Sequence, residues 1–347
     1  MRVFTCDNCG QWVFFDNDRC LRCDSPLGYV HQRRDVVALT EVAPHHLVDL
    51  GNPVRAWQRC ATRSVTGCNW LVPAGTGAMC ESCVLTRTRP ADNDVGGMIE
   101  LVRGEMAKRR LIFQLAELGL PVSPRNESAG QGLAFDLLSS SATKVITGHD
   151  NGVITLDLAE ADDEHREHLR QQLNEPYRTL LGHFRHEIGH YYWPILVDQP
   201  DLLDACRVLF GDDREDYSAA IKLHYDDPDD RDRRWRDTYI SRYATMHPFE
   251  DWAETFAHYL HILDTLQTAQ SFGLGSAGTP DGRRPGIHVR RPDASASFGD
   301  VVDHWLELSY ALNQINRSMG HEDLYPFVLA PRVIRKLAFV DHTVRRR

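Results

Sequence analysis

The sequence predicts an α+β chain, with a small metal-stapled domain over residues 1–90 and a larger mixed domain over 91–347. Three observations carry this. Cysteines cluster at the amino-terminal end, a His-Glu-x-x-His run occupies 186–190, and short strand-like runs give way to long stretches of helical period.

The elements follow in order. Cys6-x2-Cys9 and Cys20-x2-Cys23 are two thiolate pairs, each able to form a tight knuckle, and together they supply a tetrahedral four-sulfur site. Cys60, Cys68, Cys80 and Cys83 make a second set, of which only the last two have knuckle spacing. A second four-cysteine zinc site is the best account. Buried free thiols, with His45 or His46 as substitute ligands, are the alternative, and spacing alone does not pair the eight cysteines between sites. Iron of the rubredoxin kind also accepts four thiolates.

Arg87–Asp94, with Pro90 inside, reads as the junction. A helix is expected from Asp94 to Leu118, ended by Gly119 and Pro121, then a strand over Leu133–Leu138. Thr143–Thr147 and Val153–Leu158 read as a hairpin around His149-Asp150-Asn151-Gly152. Pro176–Tyr192 reads as a helix, with Leu180, Leu181, Phe184 and Ile188 at helical spacing and Pro194 as its stop. The acidic stretch from Asp212 to Asp230 reads as a solvated loop with short helices and lacks the spacing of a calcium loop. Pro248 opens another helix, whose Trp252, Phe256, Tyr259 and Leu260 form an apolar stripe. Ser271–Ser297, rich in Gly, Pro and Ser, reads as a mobile loop that either covers a cleft or is inert. Helices near Phe298–Met319 and Pro331–Val340 are expected to pack on the preceding ones.

The chemistry lies in His186-Glu187-Ile188-Gly189-His190. Residues four apart on a helix are about 6 Å apart on one face, so both imidazoles can bind one ion. Glu187 then sits beside the open position, where it can take a proton from zinc-bound water. A solvated helix face is the bland alternative. A catalytic zinc needs a third protein ligand. The metzincin continuation requires Gly and His where Trp193 and Leu196 stand, so that class is excluded. Glu250 and Glu254 lie one turn apart on the downstream helix, so one can bind the metal while the other orients a ligand imidazole.

HExxH followed by Glu250-Asp251-Trp252-Ala253-Glu254 resembles the gluzincins, and locally the third-ligand helix of the anthrax lethal-factor type. The resemblance implies a zincin-like domain with Glu250 as ligand and Glu254 as its support. It also implies an oxyanion donor seven residues before the ligand Glu, where Tyr243 stands; a packed aromatic is the other reading, and Tyr239 is a weaker candidate. In peptidases of this type a strand just before the HExxH helix pairs with extended substrate. Gly152–Leu158 is expected in that role, or else as an ordinary core-facing edge strand. Over nearly the whole chain, the sequence resembles bacterial zinc-ribbon proteins that carry a zinc-binding metallopeptidase domain. The carriers are Cys6–Tyr29, Cys68-Asn69-Trp70 with Cys80-x2-Cys83, Gly152–Asp162 and Arg185–Tyr192.

Composition narrows the class. Hydrophobic residues at 42% support a real core, and no apolar run approaches membrane-spanning length. The first twenty residues carry Cys pairs and acidic groups in place of an apolar signal segment. Nine cysteines, mostly near CxxC pairs, read as metal ligands in a reducing cytoplasm, with Cys206 left over as a core residue. A formal charge of −10, before any thiolates are counted, argues against broad nucleic-acid binding. Arg33-Arg34, Lys108-Arg109-Arg110 and Arg345-Arg346-Arg347 read as solvated faces and a frayed terminus.

The expectation is a zinc peptidase with one catalytic Zn2+ on His186, His190 and Glu250 and two structural Zn2+ ions on the eight cysteines. Its partner would be a peptide or protein substrate, with a protein partner for the ribbon. Two rivals stand: an adaptor that uses the ribbon for binding and keeps the second domain as a scaffold, and a zinc hydrolase acting on something other than a peptide.

Overall fold

The computed structural model describes residues 1–141, 144–162, 166–168, 178–226, 233–278, 287–289 and 296–346. The chain forms two compact units, Met1–Gln171 with Thr179–Leu181, and Gln172–Arg178 with Gly182–Arg347.

The first unit opens with a two-stranded hairpin, β1 (Phe4–Thr5) and β2 (Trp12–Val13), carrying the first cysteine knuckle. Both knuckles close alike. The N–H of Gly10 reaches the Cys6 carbonyl, and that of Asp24 the Cys20 carbonyl, each at 2.9 Å. Both closing residues hold positive φ, +72° for Gly10 and +61° for Asp24, a conformation Gly and Asp tolerate best.

An antiparallel meander follows: β3 (Leu27–Val30), β4 (Asp35–Ala43), β5 (His46–Asp49), β6 (Ala56–Arg59) and β7 (Leu71–Pro73), paired in chain order. A bridge from Tyr29 to Trp70 brings the first strand back to the last. Gly28 permits that approach, since a Cβ there would lie 2.6 Å from Leu71 Cγ. Val30, Val37, Leu39, Leu47, Trp57 and Leu71 fill the interior. One helical turn, α1 (Arg63–Thr66), lies between β6 and β7.

The long helix α2 (Val95–Glu117) starts on Asp94, whose side chain caps the N–H of Gly97 at 2.9 Å. Its Phe113 packs against Phe4, Phe15 and Tyr29 of the ribbon region. The Lys108-Arg109-Arg110 run is not a solvated face. Lys108 and Arg109 are buried around Glu105, with Lys108 Nζ 2.9 Å from its carboxylate, and Arg110 binds Asp16. Successive residues turn by about 100° on a helix, so a run of three cannot share one face.

A second sheet orders its strands β10-β11-β9-β8, from β8 (Thr86–Thr88), β9 (Ala134–Leu138), β10 (Gly148–Asp150) and β11 (Val153–Asp157). Two expectations are corrected here. Arg87 and Thr88, read as junction, lie in a strand parallel to β9, with Arg87 paired to Asp136. The strand within Gly152–Leu158 is not an edge: β9 and β10 bond it on both sides, so its backbone has no free side for a substrate strand. The hairpin is also tighter than expected, turning at Asn151-Gly152, both at positive φ.

The second unit is helical. The helix bearing the HExxH run is α3 (Leu180–Leu196). Pro194 lies inside it, not at its stop; the missing N–H falls in the last turn, where few further bonds depend on it. Pro176 lies outside the described residues. Next come α4 (Pro200–Phe210) and α5 (Tyr217–Asp226), followed by α6 (Pro248–Ser271). The helix α6 starts with Pro248 after His247, whose Nδ1 accepts the Phe249 N–H at 3.1 Å. Its Trp252, Phe256, Tyr259 and Leu260 are buried as the stripe requires. Finally, α7 (Phe298–Ser318) and α8 (Pro331–Arg345) pack against α6. Arg345 and Arg346 are not frayed, pairing with Asp341 and Asp201, and Arg347 lies outside the described residues. Within Ser271–Ser297, Gly275–Ser276 pairs with Ile287–His288, and most of the remaining stretch lies outside the described residues. Among the described residues, no helix is long and apolar enough to cross a membrane.

Candidate metal centre

Two helices build the site. His186 and His190 face α6 from α3, and Glu250 in the first turn of α6 faces them. His186 Nε2 lies 2.9 Å from Glu250 Oε2 and 3.1 Å from His190 Nε2; His190 Nε2 lies 3.4 Å from the same carboxylate oxygen. Three donor atoms thus form a triangle. Ligands about 2.0–2.1 Å from a tetrahedral zinc stand about 3.3 Å apart, so this triangle matches one face of such a site.

The supports are as specific as the donors. Glu254 Oε1 sits 2.7 Å from His186 Nδ1, which fixes that ring with Nε2 pointing inward. Ser241 in turn bonds Glu254. Tyr217, at the start of α5, donates its hydroxyl to Glu250 Oε1 at 2.6 Å. Asp251 turns the other way and meets Lys336 Nζ at 2.5 Å, with both groups buried. Tyr243 lies in a short turn with its ring edge-on to His186, centroids 5.6 Å apart, so the candidate donor is at the site. Tyr239 packs elsewhere, its ring 4.2 Å from the Lys336 ammonium.

Burial opposes ionisation of Glu250 and Glu254, yet the histidine hydrogen bonds win, leaving Glu254 at about 2 and Glu250 far below the usual carboxylate range. Burial works against a charged His186 too, but the two carboxylates hold its pKa well above 6.5. A cluster that gathers a cation this strongly is one a metal ion would satisfy by displacing the proton. Glu187 differs: burial raises its pKa, and its Oε2 is buried with no hydrogen-bond partner among the described residues.

The cysteines gather in fours, as the knuckle spacing predicted for the first set. Cys6 Sγ lies 3.7 Å from Cys23 Sγ, and Cys9 Sγ 3.6 Å from Cys20 Sγ. Cys60, Cys68, Cys80 and Cys83 form the second group, with Cys68 and Cys80 sulfurs 3.7 Å apart. Sulfurs about 2.3 Å from a tetrahedral zinc stand about 3.8 Å apart, so both sets fit. Within the second set the N–H of Cys80 points at Cys60 Sγ at 3.2 Å, a contact that favours thiolate. His45 and His46 sit exposed at the β4–β5 turn and are not part of it. Cys206 is buried in α4, and burial pushes its thiol pKa up, as for a core residue.

Sequence reasoning missed Tyr217 and Ser241. Neither holds a motif position; both arrive from segments between the two helices, and only the chain path brings them in.

Comparison with known proteins agrees with this geometry. A zinc-ribbon domain family matches residues 3–94, and a family described as "Putative zinc-binding metallo-peptidase" matches residues 99–343. An uncharacterized protein of Mycobacterium bovis and two of Mycobacterium tuberculosis strains are each 49% identical over 346 residues, covering 99% of this chain and 95% of the relative. No solved structure matches the chain. With both family models matched in tandem and the donor sets in place, the chain belongs to the zinc-binding metallo-peptidase family, with an amino-terminal zinc ribbon.

Proposed function

We propose that the protein is a zinc-dependent peptidase. The observation that carries this reading is the triangle of His186 Nε2, His190 Nε2 and Glu250 Oε2, with Glu187 on the helix of the two histidines, its buried Oε2 without a hydrogen-bond partner among the described residues. His186, His190 and Glu250 would hold one catalytic Zn2+, and the two cysteine quartets one structural Zn2+ each. When bound, the catalytic ion supplies Lewis acidity toward a scissile carbonyl and brings the pKa of water down toward about 7. Glu187 accepts the proton of the attacking water, and it delivers that proton to the leaving amine nitrogen as the carbon–nitrogen bond breaks. Its burial, which raises its pKa, makes it a stronger base than a solvated carboxylate. Tyr243 donates to the developing oxyanion, and Glu254 keeps His186 in the binding tautomer.

The substrate is a peptide or protein. The closed thiolate sites have no open position, which makes the ribbon a structural or partner-binding module. Free thiolates gathered for metal suit a reducing compartment, so the cytoplasm is the proposed location.

The test is metal content per chain, for wild type beside a His186→Ala, His190→Ala, Glu250→Ala triple variant. About three zinc ions falling to about two supports the reading. Equal metal in both proteins sinks it.

A further inference from the structure

We propose that Tyr217 is a positioning residue that restricts Glu250 to a single metal-binding oxygen and thereby keeps the fourth coordination position open; this rests on the zinc reading above. The two oxygens of Glu250 have separate partners. Oε2 lies 2.9 and 3.4 Å from the two histidine nitrogens, inside the donor triangle. Oε1 accepts the Tyr217 hydroxyl at 2.6 Å. A carboxylate left to itself can offer both oxygens to a cation. Bidentate binding by Glu250 would fill the place a water or substrate oxygen must take, and zinc imposes no geometry of its own to prevent it. A short phenol hydrogen bond to the outer oxygen opposes that rotation.

The placement of Tyr217 is built in. Asp216 caps its helix, taking the Ala219 N–H at 3.0 Å on its carboxylate. The Tyr217 ring meets the His247 ring edge-on, centroids 5.2 Å apart at 80°. His247 is held at both nitrogens. Its Nδ1 accepts the Phe249 N–H at 3.1 Å, and its Nε2 donates to the Glu215 carbonyl at 3.1 Å. One histidine therefore ties the start of α5 to the start of α6. The donor Tyr217 and the acceptor Glu250 lie just beyond those two anchors, so their distance is set by the fold. Glu250 is itself buried, which strengthens a hydrogen bond to its charged form.

The test uses the full chain with zinc in the cysteine sites and cobalt(II) at the histidine site. The triple variant His186→Ala, His190→Ala, Glu250→Ala provides the spectral blank. Visible d–d bands are intense for four-coordinate cobalt, weaker for five-coordinate cobalt and weakest for six-coordinate cobalt. Tyr217→Phe keeps the ring against His247 and removes only the donor. The expected result is a four-coordinate spectrum for wild type and loss of intensity toward a five-coordinate one for Tyr217→Phe. Its cobalt and zinc affinities should also change by about 10-fold or more, the usual scale for removing a partner of a ligand. Bound cobalt with an unchanged spectrum in Tyr217→Phe overturns the proposal while leaving the zinc reading intact. If wild type binds no cobalt beyond the blank, both fall together. A His247→Gln variant, retaining Tyr217, gives a second readout: it should show a partial shift in the same direction, and a spectrum identical to wild type would refute the anchoring role.

Discussion

The indole Nε1 of Trp252 donates to the backbone carbonyl of Gly189 at 2.9 Å. This joins the helix that carries both histidines to the helix that carries Glu250. Gly189 makes the crossing close: a Cβ there would lie 3.0 Å from Ala253 Cα and 3.2 Å from the Ala253 carbonyl oxygen. The glycine within the HExxH run thus lets the helix of His186 and His190 approach the helix of Glu250 closely.

Gly189→Ala should therefore push the helices apart. Helix propensity favours Ala by about 1 kcal/mol, but overpacking against backbone costs about 1–3 kcal/mol. The net expectation is lower stability together with weaker zinc retention at the histidine site. Urea denaturation and zinc content check it. A variant more stable than wild type with unchanged zinc would show that the crossing has slack.

Glu187→Gln should keep the metal and the fold while turnover falls by about 10²–10⁴, the range for losing a general base. The amide cannot accept the water proton but fills the same volume. Metal analysis and single-turnover hydrolysis of a peptide that wild type cleaves are the checks. Loss of metal in this variant would give Glu187 a structural role instead.

Lys336→Met should destabilise the second unit by about 1–3 kcal/mol near pH 7, since it leaves the buried Asp251 carboxyl without its hydrogen-bond partner. Burial pushes the Asp251 pKa up to about 7 even with the ammonium present. The double variant with Asp251→Asn should recover most of the loss above pH 7, where the single variant would have to ionise Asp251 without a partner. Thermal denaturation of the two variants decides it, and equal losses would contradict the pairing.

Acid should weaken the second unit through His258 and His261. Burial holds their pKa values down to about 4 and about 3, against about 6.5 when unfolded. The geometry concurs: Arg185 Nη1 points into His261 Nδ1 at 3.3 Å, which requires a neutral ring. The unfolded chain binds more protons between those values, so stability is full above about 6.5 and falls as pH drops below it. Each histidine contributes about 1.4 kcal/mol per pH unit within the window. Urea midpoints from pH 7 to 5 for wild type and His258→Gln measure this. A variant with the wild-type slope would remove His258 from the account.

Much of this was legible in the chain, for identifiable reasons. CxxC knuckles and HExxH are local: a turn or a single helix places their donor atoms, so spacing alone implies a site. The Trp252–Phe256–Tyr259–Leu260 stripe was readable because one buried helix face repeats at a fixed period. The errors came where local signals compete with pairing. Val153–Asp157 has the pattern of an edge strand, but only its neighbours decide whether both sides are bonded. Lys108 and Arg109 look solvated until Glu105, a turn earlier, is seen buried with them.

By itself the sequence determined the donor types, their place on two helices and the knuckle spacing of Cys6, Cys9, Cys20 and Cys23, because those depend on residue spacing along the chain; which four cysteines gather in each quartet came from the fold. Tertiary structure alone decided which oxygen of Glu250 faces the histidines, that Tyr217 holds the other, and how near Gly189 lets the helices come. These are distances between segments remote in the chain. They arise from packing, which no local pattern encodes.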